Sequence, residues 1–293
     1  MKFPLLPEKL TLAVVACALA LFVSPQTFAQ SGAICSEKQM NDLLTKPIAP
    51  HSSASASAAK VDPAEEAQYK AFFKLKPDNP DKRIQSGGAF IQKYPDGPFS
   101  EAVYSQLSIS EYQKQDFDKM DDYAAKALAL NPDDVTVLVF TGWVLPHSSS
   151  VSPTQLDKAE KYEKHVLELL PTLAKPADMT DREFATAKSE YESQAHSGLG
   201  LVDYQRGNFA GAVTEMKKAT SSGSDSDPAD YYVLGVSLEN IQHYADASDA
   251  FKQCASTPNV QQALCKQKAQ VAKKEAASKP GHPEVATTSH LPG

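Results

Sequence analysis

Histidine, cysteine and carboxylate side chains let a chain ligate a metal, attack a substrate or move a proton, so their spacing is the first test for chemistry. The seven histidines are His51, His147, His165, His196, His243, His282 and His290. No two are separated by three residues, the spacing that places a pair of imidazoles on one helix face around zinc. None stands beside a cysteine at metal-ligand spacing. There is no Cys-x-x-Cys-His segment for haem attachment. The glycine pair in "SGGA" (residues 86–89) is not followed by the lysine that a phosphate-cradling loop requires. "HSGLG" (residues 196–200) lacks both the leading glycine and the preceding strand of a nucleophile elbow. The carboxylate pairs Glu65–Glu66 and Asp121–Asp122 read as solvated helix faces. The sequence therefore predicts no catalytic residue, no cofactor-binding residue, no metal ligand and no enzymatic activity.

The cysteines are Cys17, Cys35, Cys254 and Cys265. Cys17 lies inside "LTLAVVACALALFV", an uninterrupted run of 14 residues preceded by Lys2 and Lys9 and ended by Pro25. With small residues at Thr27 and Ala29, residues 1–29 read as a secretory signal peptide cleaved before Gln30. The run is shorter than the ~20 residues of a spanning helix. Retention as an anchor and lipidation at Cys17 are the two competing readings; Cys17 sits mid-run rather than at its end. Export would put the remaining cysteines in an oxidising compartment. Cys254 and Cys265 flank the helix-breaking "STPNV", so two antiparallel helices joined there could bring their sulfurs together. A disulfide and two unpaired, core-filling cysteines both remain open on spacing alone. Cys35 is left over, either free or linking chains.

The full chain has 293 residues, 42% hydrophobic and 22% charged, with a formal charge of −7. Such an acidic balance gains little from a phosphate backbone, which argues against a nucleic-acid partner. "HSSASASAAK" (residues 51–60) is small, polar and aperiodic, so residues 30–61 read as a flexible linker. Residues 62–279 form the folded part, and residues 280–293, rich in Pro and Gly, read as a disordered tail. Asp62 and Pro63 give a capped helix start. No alternating β-branched run occurs between Asp62 and Ser278, and apolar residues recur at helical spacing between Pro and Gly breaks.

Aligning "HSGLGLVDYQRGNFAGAVTEMKKA" with "YYVLGVSLENIQHYADASDAFKQCA" places Leu199–Gly200 over Leu234–Gly235. The same register sets Phe209 over Tyr244, Ala212 over Ala247, Met216 over Phe251 and Ala219 over Cys254, each offset by 35 residues. This pattern resembles the tetratricopeptide repeat, a helix–turn–helix unit of about 34 residues. Residues 101–134 fit the register without gaps, through Tyr104, Leu107, Ser108, Phe117, Ala124, Ala127 and Pro132. Met120 stands where a small residue is expected, which implies a wider contact. The next unit carries Gly142, Ala159 and Pro171, with a turn, "HSSSVSPT", about five residues longer than the family norm. Residues 63–95 make a weaker unit through Phe90 and Pro95, and Gly87–Gly88 should weaken its second helix. Residues 260–279 read as a polar capping helix.

The resemblance implies an all-α, right-handed α-solenoid of repeats with a C-terminal capping helix. Leu107, Ala127, Gly142, Ala159, Leu199, Gly200, Phe209, Ala212, Ala219, Leu234, Gly235, Tyr244 and Ala247 are then the repeat-packing residues. His196 falls at a first-helix position usually filled by an aromatic and reads as core. First helices of such stacks line a concave face. That makes Ser105, Ile109, Tyr112, Val139, Trp143, Ser197, Leu201, Tyr204, Tyr232 and Val236 a candidate peptide groove. Family members that clamp a C-terminal carboxylate use Lys, Arg and Asn at such positions; Ser105, Ile109 and Val139 stand here instead, so that ligand is not carried over. The stripe can equally be covered by the N-terminal segment or packed between helices. Residues 93–113 also look like repeats of envelope assembly lipoproteins. The expected function is a non-catalytic, periplasmic or secreted scaffold with a protein or peptide partner, no cofactor and no membrane span after signal cleavage. The alternative is an adaptor subunit of an outer-membrane assembly.

Overall fold

The computed structural model describes residues 62–148, 151–177, 179–222, 226–259 and 261–278. The segments expected to be a signal peptide (1–29), a linker (30–61) and a tail (280–293), with Cys17 and Cys35, lie outside the described residues. Eleven α-helices and no strand occur among the described residues. They are α1 (Pro63–Phe73), α2 (Pro80–Lys93), α3 (Ser100–Gln113), α4 (Phe117–Leu130), α5 (Val135–Val144) and α6 (Pro153–Leu169). The remainder are α7 (Asp181–Gln205), α8 (Phe209–Ala219), α9 (Pro228–Asn240), α10 (Tyr244–Cys254) and α11 (Gln262–Ser278). Consecutive helices pair, and each pair packs on the next, giving the right-handed α-solenoid with α11 as its cap.

Local chemistry sets the helix ends. Asp62, Asn79, Asp116, Asp134, Asn208 and Asp227 each accept a hydrogen bond from an amide of the helix they precede. Ser152 with Gln155, and Thr180 with Glu183, close reciprocal capping boxes. The corner residue between paired helices adopts a left-handed backbone. It is Gly207 (φ +74°) in one hairpin, Gln115 (φ 61°) and Gln242 (φ 62°) at the matching place in two others. The glycine meets this conformation without steric cost, whereas the glutamines hold it under strain.

Small residues set how near the paired helices come. A methyl at Gly200 would lie 2.9 Å from Met216, and one at Gly235 would lie 2.6 Å from Phe251. These are the same contact, one repeat apart. Ala127, Ala159, Ala212, Ala219 and Ala247 are fully buried, as is Leu107, and Leu234 is nearly so. Leu199, Phe209 and Tyr244 are half-buried, and the corner residue Phe117 is 40% exposed against Tyr112. A corner aromatic is thus a lid on the hairpin rather than part of its core.

The α2 helix runs unbroken through Gly87–Gly88, and Gly87 lets Leu107 and Phe72 approach where a side chain would collide with them. Two expectations need correction. Glu65 is not solvated: it turns inward over Gly97, while its neighbour Glu66 pairs with Lys70 outside. His196 is not core filler. Its Nδ1 lies 2.6 Å from Glu215 on α8, tying the α7–α8 hairpin together. Met120 is fully buried, and α4 meets α5 over a smaller interface than α2–α3, α6–α7 or α8–α9.

Cys254 and Cys265 are joined by a disulfide, with Cα atoms 5.9 Å apart, which staples α10 to the cap. Replacing both by serine is expected to lower stability by about 3 kcal/mol on the chain-entropy estimate for so short a loop. Gly235→Ala is expected to cost about 1–3 kcal/mol, because the Phe251 ring must shift to admit the methyl. Urea unfolding of the purified variants measures both, and an unchanged midpoint for Gly235→Ala would contradict the close-approach account.

Candidate interaction surface

Each first helix (α1, α3, α5, α7, α9) presents one face to its own partner helix and others to neighbouring first helices. The ten groove residues fall on α3, α5, α7 and α9. Ser105, Ile109, Val139, Trp143, Ser197, Leu201, Tyr204 and Tyr232 are buried; Tyr112 and Val236 are half-buried. Of the two readings the stripe left open, a groove open to a peptide or side chains packed between helices, most of these side chains take the second. Tyr204 packs on Phe209, ring centroids 5.9 Å apart, and Tyr232 packs on Phe251, also at 5.9 Å. Both rings therefore serve their own hairpins. Tyr112 sets its ring edge-on to Phe140 at 5.5 Å, bridging α3 to α5.

Polar contacts tie the first helices to one another. The Trp143 indole N–H donates to Ser197 Oγ at 3.2 Å, and the Ser197 hydroxyl donates to Asp230 Oδ1 at 2.6 Å. One chain of hydrogen bonds thus crosses α5, α7 and α9. The hydroxyls of Thr136 and Tyr191 add a second α5–α7 link at 3.0 Å. Trp143 is therefore a structural linchpin, and its truncation would disturb the stack as well as any surface.

Asp230 is a buried acid that the sequence does not flag. Burial, followed by repulsion from Asp227, raises its pKa to about 8, opposed by the Ser197 hydrogen bond. At neutral pH it holds a proton. His147 shows the opposite case. Desolvation lowers its pKa to about 4, against the pull of the Trp143 carbonyl 2.6 Å from Nδ1. A carbonyl only accepts, so Nδ1 carries the hydrogen and Nε2 is left as an acceptor in a neutral ring.

The outer edge of this face has a feature that periodicity could have revealed. Gln113, His147, Gln205 and Asn240 occupy the same register position in four successive repeats. Gln113 and Asn240 are exposed; His147 and Gln205 are half-buried. Gln205 donates to the Pro146 carbonyl at 2.8 Å, so neighbouring rungs touch. All four are uncharged hydrogen-bonding groups. Among the described residues no cluster of three or more His, Cys, Asp or Glu is placed to hold a metal, and no helix is long and apolar enough to cross a membrane.

This architecture is the tetratricopeptide-repeat fold. Thirteen solved chains resemble the protein in structure. One is PilW, described as a widely conserved type IV pilus biogenesis factor. It is 14% identical, with 74% of this chain and 90% of that chain covered, at a TM-score of 0.53. Another is the tetratricopeptide-repeat domain of P58(IPK), also 14% identical, covering 74% of this chain and 57% of that one at a TM-score of 0.31. No family model matches the chain, and no curated protein matches it in sequence.

The Asp230 proton predicts a pH dependence with a definite sign. Its folded-state pKa stands above the ordinary 3.8, so the native chain holds a proton that the unfolded chain releases. Stability is then lost as pH rises from about 4 towards about 8. Asp230→Asn should flatten that part of the profile in urea unfolding measured between pH 5 and 9. An equal slope in both proteins would remove Asp230 as its source.

Proposed function

We propose that the chain is an exported, non-catalytic scaffold that binds another protein in the cell envelope through the concave face of its first helices. The observation that carries this reading is the row of neutral hydrogen-bonding side chains Gln113, His147, Gln205 and Asn240. A preformed row of amides and imidazole can pair with the backbone or polar side chains of a docked segment, and the rigid stack holds these groups in place beforehand. The half-buried Tyr112 and Val236 beside it supply apolar contact. The more deeply enclosed groove residues then act by positioning this edge.

Export is supported by the composition of residues 1–29 and by the Cys254–Cys265 bridge, a bond that persists in oxidising compartments. PilW, described as a pilus biogenesis factor, offers one specific form: a scaffold for assembling a surface appendage. The second reading, an adaptor subunit of an outer-membrane assembly, draws on the similarity of residues 93–113 to envelope assembly repeats. There the Tyr94 carbonyl accepts from Ser100 and fixes the entry to α3.

A photo-crosslinking residue placed at Gln113 or Asn240, on the proposed edge, should capture the same discrete partner in intact cells. The same residue at Lys126 or Asp249, exposed on second helices, should not. Indiscriminate labelling from all four positions would rule out the edge as the docking surface. Fractionation of the cells separates a soluble exported scaffold from a membrane-held adaptor.

A further inference from the structure

Gly200 and Gly235 each receive a bulky apolar side chain from the second helix of their hairpin, Met216 and Phe251 respectively. Gly142 of α5 holds the same place in its hairpin, yet the side chain it receives is the carboxylate of Glu163. A methyl at Gly142 would lie 2.7 Å from Glu163 Oε1, and one at Gly198 of α7 would collide with the same oxygen. The carboxyl group is thus clamped between two glycines from the helices on either side of α6. Glu163 is fully buried, and neither of its oxygens has a hydrogen-bond partner.

A lone carboxylate cannot remain ionised in such a place without a large desolvation cost. A methionine there would fill the same space without that cost, as Met216 does one repeat later. Packing alone therefore does not account for an acid at this position. We propose that Glu163 makes the α5–α6 hairpin a proton-dependent joint in the solenoid. With its carboxyl protonated, α5 and α7 close on it. When the proton passes to solvent, the carboxylate draws water in and the hairpin opens between them.

The surroundings fit a joint at this point. The α5–α6 hairpin meets α4 over a reduced interface, beside an open cleft of about 970 Å3 with Leu128, Leu138, Tyr162 and Lys161 in its walls. No charged neighbour offsets the burial of Glu163, which holds its carboxyl well above the usual carboxylate range. The α5 helix carries no titratable side chain. On α7, His196 is engaged with Glu215 of α8, Tyr191 with Thr136, and Ser197 with Asp230 of α9. The following turn offers His147, bonded to the Trp143 carbonyl; the turn Leu170–Thr172 that ends α6 has no ionisable group, and Lys175 beyond it pairs with Asp181. On α6 itself, Lys158 pairs with Asp121 of α4, Glu160 with Lys164 and Arg206, and His165 with Asp133 and Glu168, all away from the glycine clamp.

Hydrogen exchange of the purified full chain between pH 5 and 9, corrected for intrinsic rates, tests the joint. The closed form holds a proton that the open form releases, so protection should fall as pH rises above the ordinary carboxylate range. The fall is about tenfold per pH unit until the closed-state pKa is reached. It should be concentrated in α5, α6 and the Gly198 region of α7, and it should be absent in Glu163→Gln. Glu163→Met should be flat in pH and more protected than the wild type. Asp230→Asn, which removes the buried acid on the neighbouring α9 that titrates in the same direction, should leave the α5–α6 slope intact. Equal slopes in wild type and Glu163→Gln overturn the proposal. So does a wild-type slope spread evenly over α8 to α10, whether or not either variant folds. The readout involves no partner, so its outcome is separate from that of the docking surface.

Discussion

How near two antiparallel helices can approach decides nearly everything in this protein. A hairpin of helices cannot bury its apolar faces alone, so the fold exists only if each hairpin nests against the next. Nesting at close range needs a gap on one helix for a large side chain of the other. Gly200 with Met216 and Gly235 with Phe251 are two copies of that device, and Gly87 with Leu107 and Phe72 is a variant of it nearer the N-terminus. The glycines cost helix propensity and return packing density, and the unbroken helices show which effect is larger.

Where the device is altered, the stack changes character. Glu163 fills the Gly142 clamp with a carboxyl group in place of an apolar plug, and the same α5–α6 hairpin meets α4 over a reduced contact. The two features fall on the same hairpin in the middle of the solenoid. The same hairpin is also braced to the helices that follow it. The hydrogen-bond chain from Trp143 through Ser197 to Asp230 links three first helices, and the Cys254–Cys265 bridge fixes the cap. The α5 helix thus carries both a cross-brace to α7 and one wall of the clamp around a group whose burial depends on a proton.

A rigid curved stack with a polar outer edge suits recognition without chemistry. Its recognition groups would be uncharged at neutral pH. Docking along that edge would then depend on hydrogen-bond geometry more than on charge, and salt would weaken it little.

The repeat register, the helix caps and the pairing of hairpins were legible in the sequence. The caps depend on residues a few positions away, and the register on small residues recurring at a fixed offset. Ala212 and Ala247, or Gly200 and Gly235, announce their contacts by type and spacing alone. The status of the first-helix stripe was not legible. Periodicity reports that Trp143, Ser197 and Tyr232 share a face, but not whether that face is open. Enclosure depends on how steeply successive hairpins lean together, a property of the whole stack. The buried acids were hidden for the same reason. Glu65, Glu163 and Asp230 look like ordinary solvated helix residues in one dimension, and aligning Glu163 with Met216 and Phe251 was the only hint available. Desolvation is a sum over neighbours brought in from other helices, so only the tertiary structure decided which carboxylates keep their water and which keep a proton.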